Sequence, residues 1–110
     1  MKINTSFNQS DKTIAVLPFA NRSASEEIEY FSDGITEAII NALATIEGLK
    51  VTSRTSSFYF KGKHIASPEI GKKLGVSTLL KGSVQLSGDS MRITAQLIDA
   101  NDDFQFWSET

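Results

Sequence analysis

A mixed α/β fold of the two-layer sandwich type, with element order βαβαβββ, is the class predicted for this chain of 110 residues, and three patterns predict it. Thr13-Ile14-Ala15-Val16-Leu17-Pro18-Phe19 is an unbroken apolar run, the pattern of a short strand buried on both faces of a sheet. From Ile28 to Ile46 the apolar residues recur at steps of three and four, apart from one adjacent pair, which is the period of an amphipathic helix. From Ser77 to Leu97 the period falls to two around a Ser87-Gly88-Asp89-Ser90 turn, the signature of an antiparallel hairpin. A chain of this length buries about two thirds of its unfolded surface, so one core holds it without disulfides or a structural metal.

Taken in order, residues 1–12 read as a polar leader and residues 13–110 as one domain. Pro18 lacks an N–H, so the first strand is expected to stop pairing there and residues 19–24 to form a loop. Ser23 and Glu26 have capping-box spacing, and Glu26, Glu27 and Glu29 suit the positive end of a helix. The helix is expected from about Glu27 to Ile46, with a stripe of Ile28, Phe31, Ile35, Ile39, Ala42, Leu43 and Ile46, and Gly34 admits a new start capped by Ser32-Asp33. Leu49 to Thr52 reads as a second strand, parallel to the first through the helical crossover. A Ser/Thr-rich loop follows. Ser67 caps a short helix with Pro68 at its first position, ending at Leu74 before Gly75. In the hairpin, Leu80, Gly82, Val84 and Leu86 share one face with Met91, Ile93, Ala95 and Leu97 of its second strand. After an Asn101-Asp102-Asp103 turn, Phe104 to Trp107 reads as a last strand. Both helices are expected on one face of a four- or five-stranded sheet, leaving Lys81, Ser83, Gln85, Arg92, Thr94 and Gln96 open to water or a partner. The expected core is Ile14, Val16, Leu17, Phe31, Ile35, Ile39, Leu43, Leu49, Val51, Leu80, Val84, Ile93, Ala95 and Leu97.

Composition narrows the chemistry. There is no cysteine, which excludes thiol catalysis, Cys-ligated zinc and a disulfide scaffold. The formal charge of -2 disfavours nucleic acid, and no apolar run approaches the roughly 18 residues of a membrane span. Gly62-Lys63-His64 and Gly71-Lys72-Lys73 lack the spacing and hydroxyl of a phosphate loop. Glu26, Glu29, Asp33 and Glu37 fall on one side of the helix and read as a solvated face rather than an acid-base or metal site. Asp99, Asp102 and Asp103 lack EF-hand spacing and read as turn residues. His64 has no serine elbow or cysteine to pair with. No catalytic residue, metal site or cofactor is therefore expected.

The densest local feature lies between Arg54 and His64, where Arg54, Lys61 and Lys63 flank Phe58-Tyr59-Phe60. Such a segment can anchor the core, present a protein-binding patch or hold an anion. The candidate interaction surface is Arg54, Phe58, Tyr59, Phe60, Lys61, Lys63 and, near the end of the chain, Trp107.

Six ordered segments carry a family resemblance: Ile14 to Asn21, Glu29 to Glu37, Arg54 to Phe58, Phe60 to Lys63, Leu79 to Val84 and Arg92 to Ala100. Together they resemble the TolB-like amino-terminal domain of bacterial multidomain regulators, over about Ile14 to Trp107; Asn101 to Phe104 departs from the Thr-Gly turn common there. The resemblance implies a domain set beside class III adenylate cyclase, winged-helix or kinase domains and before tetratricopeptide repeats, so the chain is expected to be a domain excised from a longer protein. It implies a noncatalytic interaction or sensory module of a signalling protein, acting through protein contacts with a partner, a neighbouring domain or a second copy. The alternative is a small-ligand or nucleotide-sensing domain that uses the Arg54 to His64 loop. No nucleic-acid partner and no direct membrane insertion are expected. The expected location is cytoplasmic, or periplasmic if a transmembrane span precedes the domain.

Overall fold

The computed structural model describes residues 12–110, so the polar leader expected over residues 1–12 lies, but for Lys12, outside the described residues. The elements are β1 (Thr13–Val16), β2 (Ala20–Asn21), α1 (Glu26–Leu43), β3 (Lys50–Val51), α2 (Arg54–Phe58), α3 (Ser67–Leu74), β4 (Thr78–Ser87), β5 (Ser90–Asp99) and β6 (Gln105–Glu109). Among the described residues they form one mixed six-stranded sheet in the order β3-β1-β4-β5-β6, with β2 beside β4. β1 runs parallel to β3 and β4, as the helical crossover requires, with Ile14 opposite Val51 and Ala15 opposite Leu79. β4 and β5 form the expected hairpin, paired from Thr78↔Asp99 to Ser87↔Ser90 around Gly88-Asp89. The mixed α/β class and the crossover are those read from the sequence.

The helices, however, do not share a face. All four residues of β1 are buried, and side chains alternate across a strand. Ala15 and Leu17 enter one cluster with Leu79, Ile98, Phe60 and Ile70 of α3, whereas Val16 enters another with Val84, Phe19 and Ile28 and Ile40 of α1. α1 and α3 thus cover opposite faces of the sheet, and the fully apolar strand is what that arrangement requires.

α1 starts at Glu26, not through the Ser23 capping box. Ser25 is the N-cap, its Oγ accepting from the Glu27 and Ile28 amides, while the Ser23 Oγ accepts from the Leu86 amide on β4. The helix runs through Gly34 without a second start. Its buried line is Ile28, Ser32, Thr36 and Ile40; Phe31 and Ile46, expected on the apolar stripe, are 40% and 50% exposed. The two hydroxyl residues tolerate burial because Ser32 Oγ donates to the Ile28 carbonyl and Thr36 Oγ1 to the Ser32 carbonyl. The Thr36 Oγ1 also accepts the Phe19 amide, 2.9 Å away. Ile35, Ile39 and Leu43 pack at the margin of this cluster. Ile93, expected in the core, is 38% exposed: it lies opposite the buried Val84 but one strand farther across the sheet from the α1 cluster.

Three further differences have local causes. The loop after Pro18 contains β2, which continues parallel pairing with β4 at Ala20↔Ser83 once the bend at Pro18-Phe19 is passed. The Phe19 ring lies across Gly82, where an added Cβ would meet that ring and the Thr94 carbonyl oxygen well inside contact distance. The expected Ser/Thr-rich loop contains α2, started by Ser53, whose Oγ accepts from the Ser56 amide. α3 begins at Ser67 with Ala66 as its N-cap, so Ser67 is the first helical residue rather than the cap. Its end is as expected, with Gly75 at φ 70°, the left-handed conformation that glycine adopts at no steric cost.

Candidate functional site

The Arg54 to Lys63 segment is built inward as well as outward. Phe60 is buried in the cluster beneath α3, Phe58 is half-buried and Tyr59 is 62% exposed, its ring edge-on to Phe60 with centroids 5.1 Å apart. Each of the three candidate cations has a partner within the fold. Arg54 Nε lies 3.0 Å from Glu37 Oε2, and its guanidinium sits 4.0 Å over the Phe58 ring. Lys61 Nζ reaches Glu29 Oε2 at 2.6 Å and both carboxylate oxygens of Asp33 at 2.8 and 2.9 Å. Lys63 Nζ stands 3.6 Å over the Tyr59 ring. Three acids of α1 therefore bind this segment, Glu37 at the start of α2 and Glu29 and Asp33 at the turn that follows it.

Hydrogen bonds to Asp33 first and Glu29 second hold the Lys61 ammonium above its usual value. The Lys61 hydrogen bond, then that of Asn21, holds the Glu29 carboxyl below the usual carboxylate value. Exposed pairs of this kind tether the segment at modest free energy. Trp107 is not part of this group: it lies on β6, across the sheet from β3, the strand that leads into α2.

Two other features complete the surface. A cleft of about 490 Å³ opens between the bend Leu17–Arg22 and the loop Phe60–Ile65, floored by Lys81, Ser83 and Gln96 of the hairpin. Pro18 creates it, because the chain leaves the ladder there before β2 rejoins β4. The polar strand face with Lys81 was legible as open; Arg22 and the loop as its walls were not, because only the bend at Pro18 brings them together. The second feature is β6, which among the described residues pairs with β5 alone and is exposed at all five residues. Phe104, Phe106 and Trp107 are 72%, 59% and 44% exposed, and Leu86, Met91 and Ile93 extend the apolar surface along the hairpin. Phe104 and Phe106 were readable only as strand formers, since burial is not encoded in a two-residue alternation without a neighbour.

Asp99 and Asp102 act as turn residues, accepting from the Asn101 and Phe104 amides. Among the described residues no group of three or more His, Cys, Asp or Glu side chains is placed to hold a metal ion, and no helix is long and apolar enough to cross a membrane.

Comparison with known proteins agrees with this architecture. A Rhizobium meliloti (strain 1021) protein named "Putative adenylate cyclase 3" is 45% identical over 97 residues, which cover 88% of this chain and 16% of that protein. The chain thus spans about a sixth of its relative's length. The C-terminal domain of LpoB from Escherichia coli superposes with a TM-score of 0.67 at 17% identity, over 93% of this chain and 82% of that one. TolB from Acinetobacter baumannii superposes with a TM-score of 0.50 at 15% identity, over 88% of this chain and 22% of that one, so the likeness to TolB is one of fold. The sequence itself, over residues 10–110, matches the model of a regulator family, and on that match the chain belongs to the HilA/YgeH-like transcriptional regulators, as their second domain.

Proposed function

We propose that this domain is a noncatalytic protein-interaction module of a multidomain bacterial signalling protein, coupling an output domain to a neighbouring domain or partner. The observation that carries the reading is the β6 edge, a fully exposed strand bearing Phe106 and Trp107 and followed along the hairpin by Ile93, Met91 and Leu86. An unpaired edge offers backbone donors and acceptors to a partner strand, and exposed aromatics are the usual anchors of protein interfaces. The relative's name and the regulator family point to a cyclase or DNA-binding output, which would place the domain in the cytoplasm, and the domain's small share of the relative leaves room for such neighbours. Tetratricopeptide repeats are the neighbour implied by the family resemblance.

The test is calorimetric titration of this chain with the remaining domains of the regulator that carries it, together with light scattering of the chain alone. The Phe106→Ser, Trp107→Ser double variant is expected to weaken association by about 2 kcal/mol while its denaturation midpoint stays put. Unchanged affinity removes the edge from the interface. ATP turnover by the isolated chain that survives repurification removes the noncatalytic reading.

A further inference from the structure

The cleft contains cations that no carboxylate among the described residues neutralises. Lys81 is half-buried on its floor and Arg22 stands at its rim, and among the described residues neither has a carboxylate within ion-pair distance. Lys63 and His64 line the loop side of the cleft, and Glu29, its one acidic lining residue, is already held by Lys61. A cation that lines a cleft without a counter-charge is free to give a bound anion a charge-assisted hydrogen bond, which is stronger than a neutral one. Beside these cations the walls are apolar at Leu17, Phe60 and Ile65, and Ser83 and Gln96 offer neutral hydrogen-bonding groups next to Lys81.

We infer that this cleft binds a small organic anion, its phosphate or carboxylate oxygens on Lys81 and Arg22 and its less polar body against Leu17, Phe60 and Ile65. The cleft shares Lys61, Lys63 and His64 with the loop expected to bind an anion on sequence grounds, but Arg54 and Lys61 already hold carboxylates of α1, so the anion is assigned to Lys81 and Arg22 instead. The cleft is distinct from the β6 edge, so the two readings stand or fall separately.

The experiment is amide-resolved NMR of the full chain at low salt, titrated separately with inorganic phosphate, AMP and citrate. Shifts are expected at residues 81–83 and 62–65 with AMP or citrate, and the response should weaken as salt is added. Lys81→Met should lower affinity about tenfold or more, the loss of one charge-assisted hydrogen bond, and Lys81→Arg should restore it. Arg92→Gln, on the hairpin beyond the cleft, should bind as the parent does. A response to AMP but not citrate assigns a phosphate ligand, and the reverse assigns a carboxylate. Silence towards all three anions at millimolar concentration, or undiminished affinity in a Lys81→Met variant with a native spectrum, overturns the site.

Discussion

The turn after α2 and the ribbon of β5 and β6 are both rich in aromatic residues, yet the fold uses them in opposite ways. At the turn, Phe60 is buried, Arg54 covers Phe58, Lys61 is shared by two carboxylates of α1, and of the three aromatics Tyr59 alone, with Lys63 over its ring, stays largely exposed. On the ribbon, Phe104, Phe106 and Trp107 are exposed and one edge of β6 has no neighbouring strand among the described residues. A dense cluster of cations and aromatics in a sequence therefore marks intramolecular closure here, while the plainer segment Gln105–Glu109 presents the unpartnered surface.

The sharpest way to break that contrast is to compare truncations of a phenylalanine on each side. Phe60→Ala, which removes a ring buried in the cluster beneath α3, is expected to cost about 3 to 5 kcal/mol in chemical denaturation, whereas Phe106→Ala should shift stability by about 0.5 kcal/mol or less. Equal losses would mean that the ribbon is as integral to the fold as the turn. Ile40→Ala should fall just below the first value, at about 2 to 4 kcal/mol, while Ile39→Ala should cost less because Ile39 only borders the cluster.

Smaller effects probe the ion pairs. Lys61→Met should destabilise by about 1 kcal/mol or less, since the paired side chains are a quarter or more exposed and solvent screens them. Its pH dependence has two limits. Glu29 is held below its reference value of 4.5, so its contribution is complete above that value and lost as pH falls through the lower folded value. Lys61 is held above 10.5, so its contribution is complete below that value and lost as pH rises through the higher folded one. The stability difference between parent and variant, followed by denaturation across pH, should be flat between these limits and shrink beyond both. A difference that grows below pH 4 would show that Lys61 acts through something other than its carboxylate partners. The smallest effect is at Ser57, whose buried Oγ has no hydrogen-bond partner among the described residues: Ser57→Ala should leave stability unchanged or raise it by up to about 1 kcal/mol.

The fold was legible where one pattern had one physical meaning. The β4–β5 hairpin follows from period-two alternation and its turn, and the apolar run of β1 announced a strand covered on both faces. That second reading conflicts with helices confined to one face, and the strand was the better guide because burial of Ala15 and of Val16 requires a neighbour on each side. The face of α1 was misplaced because a polarity pattern counts Ser32 and Thr36 as outward, whereas a hydroxyl bonded to its own helix packs as a small buried side chain. α2 escaped notice because Arg-Thr-Ser-Ser-Phe carries little helix propensity and is held by its cap and by ties to α1. The cleft is least readable of all, since its walls come from segments separated in sequence and joined by the bend at Pro18.

The hydrogen bond from the Phe19 amide to Thr36 Oγ1 gives this bend a clock. Phe19 lies between β1 and β2, outside any strand ladder, so its amide proton would ordinarily exchange with water as readily as that of a loop. Held by a buried hydroxyl of α1, it can exchange only when the helix and the bend separate. Its exchange rate thus reports the opening of the α1 layer alone, and comparison with the amides of β4 tells whether that layer unlatches before the sheet comes apart.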